Sequence, residues 1–171
     1  KARLETKIEG SMPVADIALK AITEEIPEIN GKKIVLLGAG TTGRKIAKEL
    51  SNKKAEVIVI NRNMDIGQIT AKKVRGTFLE YSKLNETLLG ADVLICATLA
   101  SHYRVLPEMI EKRSSPLVIV DVSPFGNVAP DVASIDRVIL KNGELEKAVK
   151  QNHETAKLEI PNVEKIIQEE L

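Results

Sequence analysis

The sequence predicts an α/β fold, a doubly wound parallel sheet with a linking helix ahead of it and a charged helix after it. Three observations predict it. Short runs rich in Val and Ile recur along the chain and alternate with segments of helical periodicity. Those runs are apolar throughout, as strands of a sheet covered on both faces must be. A glycine-rich turn, Gly38-Ala39-Gly40-Thr41-Thr42-Gly43, joins the first run to the helix that follows it.

Each element has its own warrant. Ser11 is placed to cap a helix with Pro13 in its first turn, and Val14, Ile17, Ala18, Ala21 and Ile22 then repeat at helical spacing. Pro27 and Gly31 end that helix. Residues 33–37 form the first strand, and residues 41–50 a helix with Ile46, Ala47 and Leu50 on one face. Residues 56–60 are the second strand. Beyond Asn63 the pattern weakens, and Gly67 argues against a helix there. Residues 76–79 read as a third strand, 82–89 as a short helix carrying Leu84 and Leu88, and 92–98 as a fourth strand. A helix over 106–113, a fifth strand over 117–122 and a sixth over 137–140 complete the sheet. From Gly143 the chain is helical and highly charged, with Leu145, Val149 and Ala156 on one stripe, Val163 and Ile167 on a second, and a kink at Pro161. That helix has little apolar surface, so it is expected to pack on its own domain or on another. The organisation expected is therefore residues 1–30 as lead segment and linking helix, 31–142 as the α/β domain, and 143–171 as the C-terminal helix.

Composition narrows the function. Hydrophobic residues at 43% and charged residues at 29% are those of a globular chain. A net charge of +1, with acids and bases interleaved, leaves no basic footprint for nucleic acid or an anionic membrane. Aromatic residues at 2% supply no stacking platform for single-stranded nucleic acid. No apolar run is long enough to span a bilayer, so no membrane association is expected. The first ten residues are polar, without a signal-peptide pattern, and a single cysteine fits a reducing cytoplasm.

The glycine turn carries the chemistry. It matches G-x-G-x-x-G in the context that gives the string meaning, directly after a strand and opening a helix. Gly38 permits the tight turn, Gly40 removes a side chain where backbone approaches a pyrophosphate, and Gly43 lets helix and strand pack closely. Ala39, Thr41 and Thr42 complete the cradle, and the helix N-terminus offers free N–H groups to an anion. This is the dinucleotide-binding turn of a Rossmann domain. An NAD binder would carry an acidic residue about 20 residues on, to bond the ribose 2′-hydroxyl. Here Asn61-Arg62-Asn63 stands in that place, and Arg62 suits a 2′-phosphate, so NADP (NADPH) is the expected cofactor. Thr98, Leu99, Ala100 and Val122 follow strands four and five at the same sheet edge and are expected to border the nicotinamide.

Other reactive side chains read as structural. Cys96 lies inside the apolar strand Val93-Leu94-Ile95-Cys96-Ala97 and reads as an inert core thiol. Asp121 is expected to bond nearby backbone amides, His102 to be a loop residue and His153 to be solvated. No catalytic residue is assigned, and no Cys/His spacing fits a metal site.

With the strand–GAGTTG–helix unit and the Asn61-Arg62 ending of strand two in place, the chain resembles a glutamyl-tRNA reductase, in its NADPH-binding domain and flanking helices. The resemblance runs from the small-residue segment Gly10-Ser11-Met12-Pro13-Val14-Ala15-Asp16-Ile17-Ala18-Leu19 through Gly31–Gly40, Val59-Ile60-Asn61-Arg62 and Ala91–Thr98 to the charged helix, which is similar to the start of that family's spinal helix. Phe125-Gly126-Asn127 departs from the Pro-Arg-Asp type sequence usual after strand five. The resemblance implies a whole enzyme that attacks glutamyl-tRNA with a cysteine of an N-terminal domain and reduces the thioester with NADPH to glutamate-1-semialdehyde, a tetrapyrrole precursor. It also implies a homodimer held through a C-terminal domain. Fewer than forty residues precede the glycine turn, so the cysteine domain is expected to be lacking here, contact with glutamyl-tRNA to run only through it, and the isolated chain to be inactive. A shikimate-dehydrogenase-like cofactor domain is the alternative enzyme reading. A non-catalytic dinucleotide sensor is a third, which would more often keep an acidic residue ending strand two.

Overall fold

A computed structural model describes residues 14–142, together with Leu145, Ala148, Lys150, Glu154, Lys157 and Leu158, each of these helical. Ser11, Pro13, Val149, His153, Ala156, Pro161, Val163 and Ile167 lie outside the described residues.

Helix α1 (Val14–Glu25) buries Val14, Ala18 and Ile22 along the stripe read from the sequence. Strands β1 (Lys33–Leu37), β2 (Glu56–Ile60), β3 (Thr77–Leu79), β4 (Val93–Cys96), β5 (Leu117–Asp121) and β6 (Val138–Lys141) form one six-stranded sheet in the order β3-β2-β1-β4-β5-β6. Every pairing is parallel. Because β1 pairs with both β2 and β4, successive crossovers leave it in opposite directions and a crevice opens at its carboxyl end.

Alternation along each strand feeds two cores. Ile34, Leu36, Val57, Val59, Val93, Ile95, Val118 and Val120 meet α1 and helix α2 (Thr41–Asn52) on one face. Val35, Leu37, Ile58, Ile60, Leu94, Cys96 and Ile119 meet Leu84, Leu88, Ile110 and Val132 on the other. Helix α2 buries Gly43, Ile46, Ala47 and Leu50 and runs two residues beyond the expected end.

Two elements differ from expectation. A helix, α3 (Met64–Lys73), does follow Asn63, whose side-chain oxygen accepts from the Ile66 N–H at 3.0 Å and caps it. Gly67 serves that helix: a Cβ there would stand 2.4 Å from a Phe78 ring carbon, so its absence lets α3 lie on β3. The helix expected over 106–113 is a single 3-10 turn, Pro107–Met109, followed by turns. Arg113, at the end of that segment, is only 8% exposed. It donates to the carbonyls of Leu88, Ala91 (2.6 Å), Ser115 (2.9 Å) and Pro116 (2.7 Å), tying the loops before β4 and β5 together. The segment 82–89 divides into a 3-10 turn (Tyr81–Lys83) and α4 (Leu84–Leu88). A further 3-10 turn, Pro130–Ser134, precedes β6.

Burial lowers the pKa of Arg113, and the nearby Asp92 carboxylate acts against that shift. A lysine there offers a point charge in place of a planar fork and cannot reach all four carbonyls. Arg113→Lys should therefore cost about 1–3 kcal/mol of stability through unsatisfied carbonyls. Urea denaturation measures it, and an unchanged midpoint would count against the clamp.

Candidate functional site

The site is built from loops at the carboxyl edge of the sheet. Gly38 leaves β1 with φ +89°, a conformation a side chain disfavours, and its N–H donates to the Ile60 carbonyl at 2.9 Å. A Cβ on Gly38 would also stand 2.8 Å from the Ala97 carbonyl oxygen. On Gly43 a Cβ would stand 2.6 Å from the Ala97 Cβ and 2.8 Å from Leu36, the close helix–strand packing the motif requires. Gly40 is the exposed N-cap of α2, and its nearest obstacle, Ala97 O, is at 3.1 Å. No side chain caps this helix and no acidic residue occupies its first turn, so its leading N–H groups have no side-chain acceptor, beside an exposed Thr41. Ala39 is buried.

The end of β2 divides its three polar residues by task. Asn61 accepts from the Ala39 N–H at 3.1 Å and donates to the Asn63 carbonyl at 2.9 Å, so it fastens the glycine turn to β2. Asn63 caps α3. Arg62 is exposed, and among the described residues it forms no ion pair. Asn61 and Asn63, expected at the ribose end, use side-chain groups on the scaffold, while Arg62 keeps its side chain uncommitted among the described residues.

A cavity of about 300 Å³ opens between these loops, lined by Gly38, Asn61, Arg62, Thr98, Leu99 and Ala100, with Leu37 and Ile60 at its base and Tyr81 and Arg104 on its far wall. Six residues read from the sequence thus converge on one crevice. Val122 does not join them by its side chain, which is 5% exposed and packs into the α1 core; its N–H donates to the Cys96 carbonyl at 2.9 Å. The residue following a buried strand kept the strand's inward alternation.

Behind the cavity stands a polar hub that sequence reasoning missed. Asn127 is fully buried. Its side-chain oxygen accepts from Thr98 Oγ1 (2.5 Å) and Ser123 Oγ (2.6 Å), and its amide donates to the carbonyls of Ala100 (3.0 Å) and His102 (3.4 Å). Its own carbonyl receives the N–H groups of Arg104 and Val105. Asp121 secures the hub by accepting from the N–H groups of Ser123, Asn127 and Val128, the backbone role expected of it. Phe125-Gly126-Asn127 thus ends in the residue that joins the loops after β4 and β5. An Asn in a loop carries no local signal for this, and neither Tyr81 nor Arg104 lies in a motif; only the rule that ligands gather at carboxyl strand ends pointed to their loops.

Cys96 has no exposed surface, and its register partners are Leu37 and Asp121. Burial pushes its thiol well above the ordinary range, and the Asp121 carboxylate pushes it further. His102 is an exposed loop residue. Among the described residues no cluster of His, Cys, Asp and Glu suits a metal ion, and no helix is long and apolar enough to cross a membrane.

Strand order, glycine turn and crevice define a Rossmann-type dinucleotide-binding domain. The chain belongs to the shikimate / quinate 5-dehydrogenase family, whose model matches residues 20–147. Its relatives include the glutamyl-tRNA reductases of Methanococcus aeolicus, 32% identical over all of this chain and 45% of that protein, and of Archaeoglobus fulgidus, 33% identical over all of this chain and 41% of that one. The chain thus spans less than half the length of the relatives it matches. Among solved structures, the glutamyl-tRNA reductase from Methanopyrus kandleri superposes with a TM-score of 0.72 at 28% identity, covering 98% of this chain and 44% of that one. A shikimate dehydrogenase solved with NADP+ shares the fold at a TM-score of 0.58 and 23% identity, covering 81% of this chain and 54% of its own.

The thiol yields a test. Its folded pKa lies above the unfolded value of about 8.5. Its contribution to stability is therefore full below that pH and is lost as pH rises toward the folded value, because the unfolded thiol ionises first. Cys96→Ala should cost about 1–2 kcal/mol at pH 7 through lost packing, with the gap to the parent closing at alkaline pH. Denaturation midpoints of both proteins across pH 7–10 measure this, and a constant gap would argue against a buried, protonated thiol.

Proposed function

We propose that this chain is the NADPH-binding domain of a glutamyl-tRNA reductase. The observation that carries the reading is the end-to-end likeness to glutamyl-tRNA reductases, which takes in the lead segment and the C-terminal residues as well as the sheet. The alternative, a shikimate-dehydrogenase-like enzyme, accounts for residues 20–147, which the family model matches, and leaves the two ends unaccounted for.

The residues at the crevice fit the cofactor. Gly38 and Gly40 leave uncovered the start of α2, where a pyrophosphate meets N–H groups and the positive end of the helix dipole. Arg62 stands at the ribose end with no carboxylate lining the same cavity, so a 2′-phosphate gains a fork of donors and meets no repulsion. Thr98, Leu99 and Ala100, held by the Asn127 hub, supply the wall along the cofactor, and Val122 contributes backbone. NADPH supplies the hydride in such an enzyme; the part of this chain is to hold and orient it while another domain presents glutamyl-tRNA. The division at about residues 30 and 142, a homodimer in the whole protein and a cytoplasmic setting belong to the same reading, and the product would enter tetrapyrrole synthesis. A non-catalytic dinucleotide sensor is disfavoured by Arg62, which replaces the acidic residue that holds an unphosphorylated ribose.

Two measurements test it. Arg62→Ala should weaken NADPH by about 1.5–3 kcal/mol, the loss of a charge-assisted contact, and NADH far less; equal losses in a fluorescence titration would remove the case for NADP. Exchanged for the corresponding segment of the Methanopyrus kandleri enzyme, this chain should support NADPH-dependent reduction of glutamyl-tRNA. A chimera that folds and binds NADPH yet reduces only shikimate-type substrates would favour the alternative.

A further inference from the structure

The cavity at the carboxyl edge contains a second guanidinium that the reading above does not use. Arg104 belongs to the loop after β4, yet its guanidinium lies over the ring of Tyr81, 5.8 Å from the centroid, and Tyr81 follows β3. In the strand order β3-β2-β1-β4, this contact joins the loops that follow the first and last of these strands, with the ends of β1 and β2 between them. Its charge therefore lines the same cavity as that of Arg62, a cavity whose walls do not include the first residues of α2.

The placement is fixed from behind. The Arg104 N–H donates to the Asn127 carbonyl at 2.7 Å, and the next residue, Val105, is fully buried and bridges to Val128. Arg104 is half-buried, and among the described residues neither it nor Arg62 ion-pairs with a carboxylate. No residue lining the cavity is acidic. Two like charges in one small cavity repel each other, and partial burial adds a desolvation cost that the Tyr81 ring offsets only in part. An anion carrying more than one charge between them reverses both terms.

We propose that Arg104 is a second specificity-determining residue for the phosphorylated cofactor, meeting from the β4 side the same ribose 2′-phosphate that Arg62 meets from the β2 side. The inference rests on the NADP reading above. Tyr81, whose ring the Arg104 guanidinium overlies, is the positioning residue.

Calorimetric titration of the full chain with adenosine 2′,5′-bisphosphate and with 5′-AMP isolates the 2′-phosphate from every other contact. Arg104→Ala should weaken the bisphosphate by roughly 10- to 100-fold and leave 5′-AMP within about 3-fold. Arg104→Lys, which keeps the charge without the planar fork, should recover part of the loss. Arg104→Gln, which keeps the stem over Tyr81, carries the test should the alanine variant melt early. An equal loss for both ligands would make Arg104 a wall of the adenine pocket and overturn the proposal, as would no loss for either. In both cases a selective loss in Arg62→Ala would show that the NADP reading stands without it. If the parent chain binds the two ligands equally well, the NADP reading falls and this inference falls with it.

Discussion

Three glycines of the first turn face one residue just beyond the end of a neighbouring strand. The positions that side chains would take at Gly38, Gly40 and Gly43 all run into Ala97, at its carbonyl oxygen for the first two and at its Cβ for the third. The constraint is the close seating of the β1–α2 turn against the end of β4. From it follow the depth of the crevice, the exposure of the start of α2, and the arrival of the loop after β4 directly opposite the end of β2. At Gly38 and Gly43 a motif usually explained by its ligand is fixed also by protein packing, so these two glycines would be required even of an empty fold.

The two edges of the sheet are closed by different polar devices. At the amino edge the Arg113 guanidinium collects carbonyls of the segments entering β4 and β5. At the carboxyl edge Asn127, which both donates and accepts, holds the two outgoing loops, with Asp121 beneath it. The assignment suits the chemistry. Loop carbonyls need donors, which a guanidinium supplies without accepting, whereas a binding edge must fix hydroxyls and carbonyls together, and an amide does both.

What was legible in the sequence was whatever repeats or must lie next to itself. Strands β1 and β2 fall on their apolar runs residue for residue, because a doubly covered strand has no polar face to blur its limits. The glycine turn was legible because strand, turn and helix are contiguous. Gly67 misled because propensity measures backbone entropy, whereas α3 needed an absent side chain above Phe78. The segment 106–113 misled because Leu106, Met109, Ile110 and Arg113 have helical spacing, and only the tertiary demand on Arg113 breaks it. Asn61 and Arg62 looked like one recognition element; the hydrogen bond from Ala39 separates them, and that bond joins residues 22 apart. Arg104 and Tyr81 meet across four strands, a distance no local pattern spans.

Cys96 sits midway across the sheet, paired on one side with β1 and on the other with β5, and no surface of it is open. A modifying reagent can reach it only when the central strands part, so its rate of modification becomes a clock for the opening of the sheet. A ligand that bridges the ends of β1, β2 and β4 adds its binding energy to the closed form alone and slows the clock in proportion to its occupancy. The chain thus carries its own gauge of cofactor engagement, requiring neither a chromophore nor turnover.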